Sequence, residues 1–198
     1  SQAQGLLTTA SIGTTDFNPK LPFTWCAWVK PVGSNGGSTN TFFNIVDASS
    51  NIIVYLKYDT GGSGTIKLGG RFSNPAVAKP NDHYWFKGDI RTDYLDKNEW
   101  FHIAAVWTGN STLNTHAAIY LNGQNIGAAI STPEANNSAF SGSAGGNAYF
   151  FADLNTNNTH NFKGSYDEMM WFPRALSSAQ ILRLYNNRFG VNMGVAQG

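Results

Sequence analysis

Ala117-Ala118-Ile119-Tyr120-Leu121-Asn122-Gly123-Gln124-Asn125-Ile126 is the stretch whose reading decides the architecture. Two short apolar runs flank an Asn-Gly pair, and these two residues take positive φ at low steric cost. A two-residue turn with both φ values positive matches the twist of paired strands, so the segment predicts a tight β-hairpin. The same chemistry repeats outward from it. Residues 100–107 carry large side chains on both faces, as a strand covered on both sides of a two-layer sandwich requires. Short runs rich in β-branched and aromatic residues, separated by turn formers, predict further strands over 23–30, 42–47, 52–58, 66–72, 124–130, 148–153 and 165–172. In the third of these, alternation puts Ile52, Val54, Leu56 and Tyr58 on one face and turns Lys57 away from it.

One helical signal stands near the end. Ser177 can cap the first turn, Gln180 can reach back as its capping-box partner, and Leu176 can pack on Ile181, with Leu184 and Tyr185 continuing the stripe. Residues 73–98 and 131–147 read as long loops, which in a compact domain usually bind something or pack on a partner. The expected fold is therefore all-β, a two-sheet antiparallel sandwich with one short C-terminal helix. It is read as a single domain over 1–198, with a core over about 17–190 and a loose tail over 191–198.

Composition narrows the function. Charged residues make up 13% and the net charge is +1, so no basic field attracts nucleic acid. Asn, Ser, Thr and 21 glycines supply a neutral polar coat, which points to an extracellular or virion-surface setting. A Ser start fits a full-length chain that has lost its initiator Met, and equally a chain whose signal peptide is gone. The lone Cys26 excludes an intrachain disulfide and reads as a buried apolar side chain. No run reaches the roughly 18 apolar residues of a membrane span.

Four pieces occur in order: Phe23-Thr24-Trp25-Cys26-Ala27-Trp28-Val29-Lys30-Pro31, Trp100-Phe101-His102-Ile103-Ala104-Ala105-Val106, Ile119-Tyr120-Leu121-Asn122-Gly123 and Phe162-Lys163-Gly164-Ser165-Tyr166-Asp167-Glu168. The last runs on into Trp171-Phe172-Pro173-Arg174-Ala175-Leu176-Ser177. Together they resemble the laminin-G-like, concanavalin A-like jelly-roll family from about Phe17 to Tyr185. The resemblance implies two antiparallel sheets of about six or seven strands each, one concave and one convex. It implies ligands on the concave face or its rim, and a structural Ca²⁺ held by Asp167 with backbone carbonyls, which suits a cation needing several hard oxygens. Asp47 and Asp16 are weaker metal candidates. Glu168, next along the strand, should face the other way.

For sugar binding, Asn81-Asp82-His83-Tyr84-Trp85-Phe86-Lys87-Gly88-Asp89 offers aromatic faces beside polar groups in an expected loop. Asp82, Tyr84, Trp85 and Phe86 are its candidate contacts; the alternative is that the three rings fill a strand or an oligomer interface. Asn155 and Asn158 belong to a lesser polar loop. Zinc has no support, since His83, His102, His116 and His160 lack paired spacing. Retaining glycoside hydrolysis needs two carboxylates about 5 to 5.5 Å apart. On this scaffold the resemblance implies an E-x-D-x-x-E strand for them, and the sequence contains none. The chain is accordingly read as a non-catalytic recognition module, its partner a glycan, with Ca²⁺ as a staple. The alternative is a virion structural protein, a decoration, knob or fibre, acting by self-association or docking on a capsid. A glycan-active enzyme is the third reading.

Overall fold

The computed structural model describes residues 6–8, 21–32, 39–46, 52–59, 64–71, 82–87, 90–108, 117–127, 129–130, 147–151 and 162–187. In chain order its strands are β1 (Leu6–Thr8), β2 (Phe23–Pro31), β3 (Thr39–Val46), β4 (Ile52–Asp59), β5 (Ile66–Arg71), β6 (Asp82–Lys87), β7 (Phe101–Trp107), β8 (Ala117–Leu121), β9 (Gln124–Asn125), β10 (Ala129–Ile130), β11 (Ala148–Phe150) and β12 (Gly164–Phe172). One helix, α1 (Ser178–Asn186), follows. The strands form a seven-stranded sheet, β1-β11-β3-β4-β5-β6-β10, and a five-stranded sheet, β12-β2-β7-β8-β9. All described pairings are antiparallel.

The hairpin forms as read. Asn122 and Gly123 have φ of 49° and 76°, and Ile126 N–H closes onto the Ile119 carbonyl at 3.1 Å. Asn122 also ties the turn to β7, accepting through Oδ1 from the His102 N–H at 2.9 Å and donating its own N–H to the His102 carbonyl at 2.8 Å. A Cβ at Gly123 would also stand 2.9 Å from Leu182 Cδ1 of α1, the end of an exposed side chain that would have to turn aside.

Alternation sorts the five-stranded sheet into two cores. Phe23, Trp25, Ala27 and Val29 of β2, with Phe101, Ile103, Ala105 and Trp107 of β7, point between the sheets. They meet Phe43, Ile45, Val54, Leu56, Tyr58, Ile66 and Leu68 of the other sheet. Rings dominate this layer, with Trp25 against Phe43 at 5.3 Å and Phe23 stacked on Trp171 at 4.6 Å. Each fully buried ring contributes on the order of 2–3 kcal/mol of apolar transfer. The opposite face of the same strands carries Cys26, Ala104, Val106 and Tyr120, and α1 covers it with Ile181, joined by Leu176 just ahead of the helix. This is why β2 and β7 are apolar on both sides.

Ser177 caps α1 as expected, with Gln180 N–H donating to Ser177 Oγ at 3.3 Å and Ser177 N–H donating to Gln180 Oε1 at 2.9 Å. Cys26 is fully buried, and burial, followed by the Glu168 carboxylate, pushes its thiol up to about 12.

Four expectations change. The expected loop over 73–98 contains β6, which pairs along its whole length with β5, and a single π-turn over Arg91–Leu95. Leu95 and Ile90 pin that turn into the core. His83-Tyr84-Trp85-Phe86 is bulky throughout, and the aromatic content that reads as a recognition loop equally favours a strand. The expected strand over 124–130 is two short ones in different sheets, β9 and β10. The sheet also reaches back to β1, ahead of Phe17. Finally, among the described residues the sheets have seven and five strands, where about six or seven each are expected.

Candidate functional site

The two sheets differ on their outer faces. On the five-stranded sheet that face lies beneath α1. On the seven-stranded sheet, Val54, Leu56 and Tyr58 go to the core, so the intervening Tyr55 and Lys57 take the outer side, as alternation requires. Register then defines a row across five strands: Tyr149 opposite Asn44, Asn44 opposite Tyr55, Tyr55 opposite Gly69, and Gly69 opposite Tyr84. A second row places Thr41 opposite Lys57, Lys57 opposite Lys67, and Lys67 opposite Phe86.

Tyr55 and Asn44 are 3% and 2% exposed, so they are the floor of this face. Lys57, Lys67 and Tyr149 are half-buried and stand higher. Lys57 Nζ lies 4.2 Å from the Tyr55 ring centroid, a cation held over an aromatic face.

The candidate residues separate. Asp82, Tyr84 and Phe86 occupy positions opposite Arg71, Gly69 and Lys67, all on the outer face of the pleat. Trp85 lies opposite Leu68, a core residue, so its position belongs to the other side. The three neighbouring aromatics that read as one cluster are therefore divided by the strand. Asp16, Asp47, Asn155 and Asn158 lie outside the described residues.

Asp167 belongs to the five-stranded sheet, away from β6. It pairs with Trp28 on β12, just before a bulge that sets Glu168 and Met169 opposite the single residue Ala27. The bulge breaks the plain alternation expected between Asp167 and Glu168. Glu168 takes φ of 48°, and its N–H donates to Asp167 Oδ1 at 2.8 Å. Both side chains are exposed. Among the described residues no three His, Cys, Asp or Glu side chains gather as a metal cluster. One carboxylate with one oxygen already engaged is a partial donor set for Ca²⁺, whose remaining oxygens would have to be carbonyls or water.

Asn44, Tyr55, Lys57, Lys67 and Tyr149 were not singled out as site residues in the sequence. Only the alternation in β4 marked Lys57 as pointing away from the core. Their convergence depends on five strands being in register, which no single segment encodes.

A two-layer antiparallel sandwich with a helix on one outer face and a polar-aromatic outer face on the other defines the class as a lectin-type jelly roll. The chain belongs to the concanavalin A-like lectin/glucanases superfamily, whose laminin-G family model matches residues 4–182. Solved structures agree on the fold. A native heptameric SAP-like pentraxin from Limulus polyphemus is similar with a TM-score of 0.55 at 19% identity, covering 88% of this chain and 79% of that one. A Ruminococcus gnavus sialidase carbohydrate-binding module, CBM40, is similar with a TM-score of 0.57 at 11% identity, over 93% of this chain and 98% of that one. The binding domain of botulinum neurotoxin serotype D gives 0.59 at 13% identity, over 93% of this chain and 47% of that one. The search of curated proteins returned no significant match. Among the described residues no helix is long and apolar enough to cross a membrane.

Proposed function

We propose that the chain is a non-catalytic carbohydrate-recognition module that binds on the outer face of the seven-stranded sheet. The observation that carries this reading is the cross-strand row of Tyr149, Asn44, Tyr55, Gly69 and Tyr84. A sugar offers an apolar C–H surface and a rim of hydroxyls. Aromatic rings pack on the first, while amides and ammonium groups bond the second. The Ruminococcus gnavus module of similar fold has been solved bound to α2,3-sialyllactose, which supports the assignment of ligand class.

The non-catalytic part rests on the missing E-x-D-x-x-E strand and on Asp167 and Glu168 being consecutive rather than paired across a cleft. A Ca²⁺ ion at Asp167 is proposed as a structural adjunct, with the exposed carboxylate as its one side-chain ligand. Self-association belongs to the same proposal, and the heptameric pentraxin of similar fold supports it. So does an extracellular or virion-surface setting, for which the support is the low-charge coat.

A glycan array probed with the full chain tests the reading. Wild type is expected to bind a defined set of glycans, and Tyr149→Ala and Tyr84→Ala each to lower that binding roughly tenfold without loss of fold. A clean array at high protein concentration would remove the carbohydrate assignment and leave a structural role on a capsid or in a fibre as the stronger reading.

A further inference from the structure

Lys57 of β4 and Lys67 of β5 stand directly opposite each other, and both strands lie inside the sheet rather than at its edges. Leu56 and Leu68, the adjacent opposed pair, point into the core, so the lysines share the outer face. Like charges at directly opposed positions have Cβ atoms about 5 Å apart and destabilise the pairing. The chain has only 13 Lys and Arg in 198 residues, so two of them meeting in mid-sheet is not a by-product of a basic surface. On the same face the position opposite Arg71 is Asp82, a residue of opposite sign.

The surroundings favour an anion at this point. Lys57 and Lys67 are half-buried, and partial removal from water strengthens their attraction for a negative group. The Tyr55 ring beneath Lys57 holds the ammonium 4.2 Å from its centroid, on the face where the ligand would lie. Lys67 has an interaction within the protein as well. The direct contact therefore falls to Lys57, with Lys67 adding to the local field.

We infer that the Lys57–Lys67 pair is an anion subsite of the carbohydrate surface, and that the ligand is an acidic glycan bearing a carboxylate or a sulfate. The inference rests on the proposed carbohydrate reading and adds the charge of the sugar to it. An ammonium donates three hydrogen bonds from a compact charge, which suits either oxyanion. On the neighbouring row the half-buried Tyr149 is left for the sugar ring.

Calorimetric titration of the full chain with 3′-sialyllactose, 3′-sulfolactose and neutral lactose tests this, at low and high salt. The acidic sugars are expected to bind at least tenfold more tightly than lactose, and to weaken as salt rises. Which of the two binds more tightly separates carboxylate from sulfate. Lys57→Gln should bring both down to the lactose affinity, and Lys67→Gln should lower them several-fold. Each variant removes a like-charge contact, and Lys57→Gln also removes the cation over Tyr55, so the melting temperature of both is measured alongside binding to keep lost binding distinct from lost folding.

Lactose bound as tightly as the acidic sugars, or an acid preference unchanged in Lys57→Gln, overturns the inference and leaves the carbohydrate reading standing. If none of the three binds, the preference is read from the array. Hits confined to neutral glycans overturn the inference alone, and no hits overturn both.

Discussion

His102 shows how one residue can carry a condition on the whole fold. It is 1% exposed on β7 beneath α1, edge-on to Trp28 at 5.5 Å and 6.2 Å from Tyr185. Neither ring nitrogen has a hydrogen-bond partner among the described residues. Burial without a partner penalises the imidazolium and lowers its pKa from the usual 6.5 to about 4. The unfolded chain therefore takes up this proton near pH 6.5, while the folded chain resists until about pH 4. The stability from keeping His102 neutral is complete above pH 6.5, falls as pH drops through that window, and is lost below about pH 4. The loss amounts to about 3 kcal/mol. Denaturant unfolding from pH 8 to 4 should show this decline, and His102→Phe should flatten its part of the slope. An unchanged slope in that variant would refute the assignment. In the sequence His102 reads only as a strand residue; its burial on both sides comes from α1.

At the scale of elements, α1 was legible at its cap and invisible in its attachment. Ser177 and Gln180 stand three apart, and their reciprocal bonds follow from local chemistry alone. What holds the segment to the sheet is Thr24, fully buried on β2. Its Oγ1 donates to the Arg174 carbonyl and accepts from the Leu176 N–H, each at 2.9 Å, across about 150 residues of chain. Thr24→Val keeps the shape but strands a buried donor and a carbonyl. It should cost about 2 kcal/mol in equilibrium unfolding and speed amide exchange in α1 relative to β7. Equal exchange in both elements would show that α1 is held by Leu176 and Ile181 packing instead. β6 marks the opposite case: its aromatic stretch reads either as part of a long loop or as rings filling a strand, and pairing with β5 makes it a strand.

Across the whole molecule, the candidate residues fall on two sheets with separate tasks. Asp167 lies on the five-stranded sheet, so the proposed Ca²⁺ acts on stability rather than on the sugar face. Chelation should lower the melting temperature of wild type and leave Asp167→Ala unmoved, with glycan affinity unchanged in both. Metal-free protein whose melting point ignores added Ca²⁺ would dispose of the ion. Register likewise separates these positions, setting Tyr84 and Phe86 opposite Gly69 and Lys67 and Trp85 opposite Leu68.

The sequence by itself determined the layered β architecture, the Asn122-Gly123 turn, the capped helix and the burial of Cys26. Each follows from side-chain period or from the conformational preferences of adjacent residues. Only the tertiary structure decided which outer face α1 covers, that Lys57 meets Lys67, and that Asn44, Tyr55 and Tyr149 share one surface. Those relations are set by how separate strands slide into register, and a slip of one residue would turn each of them to the opposite face.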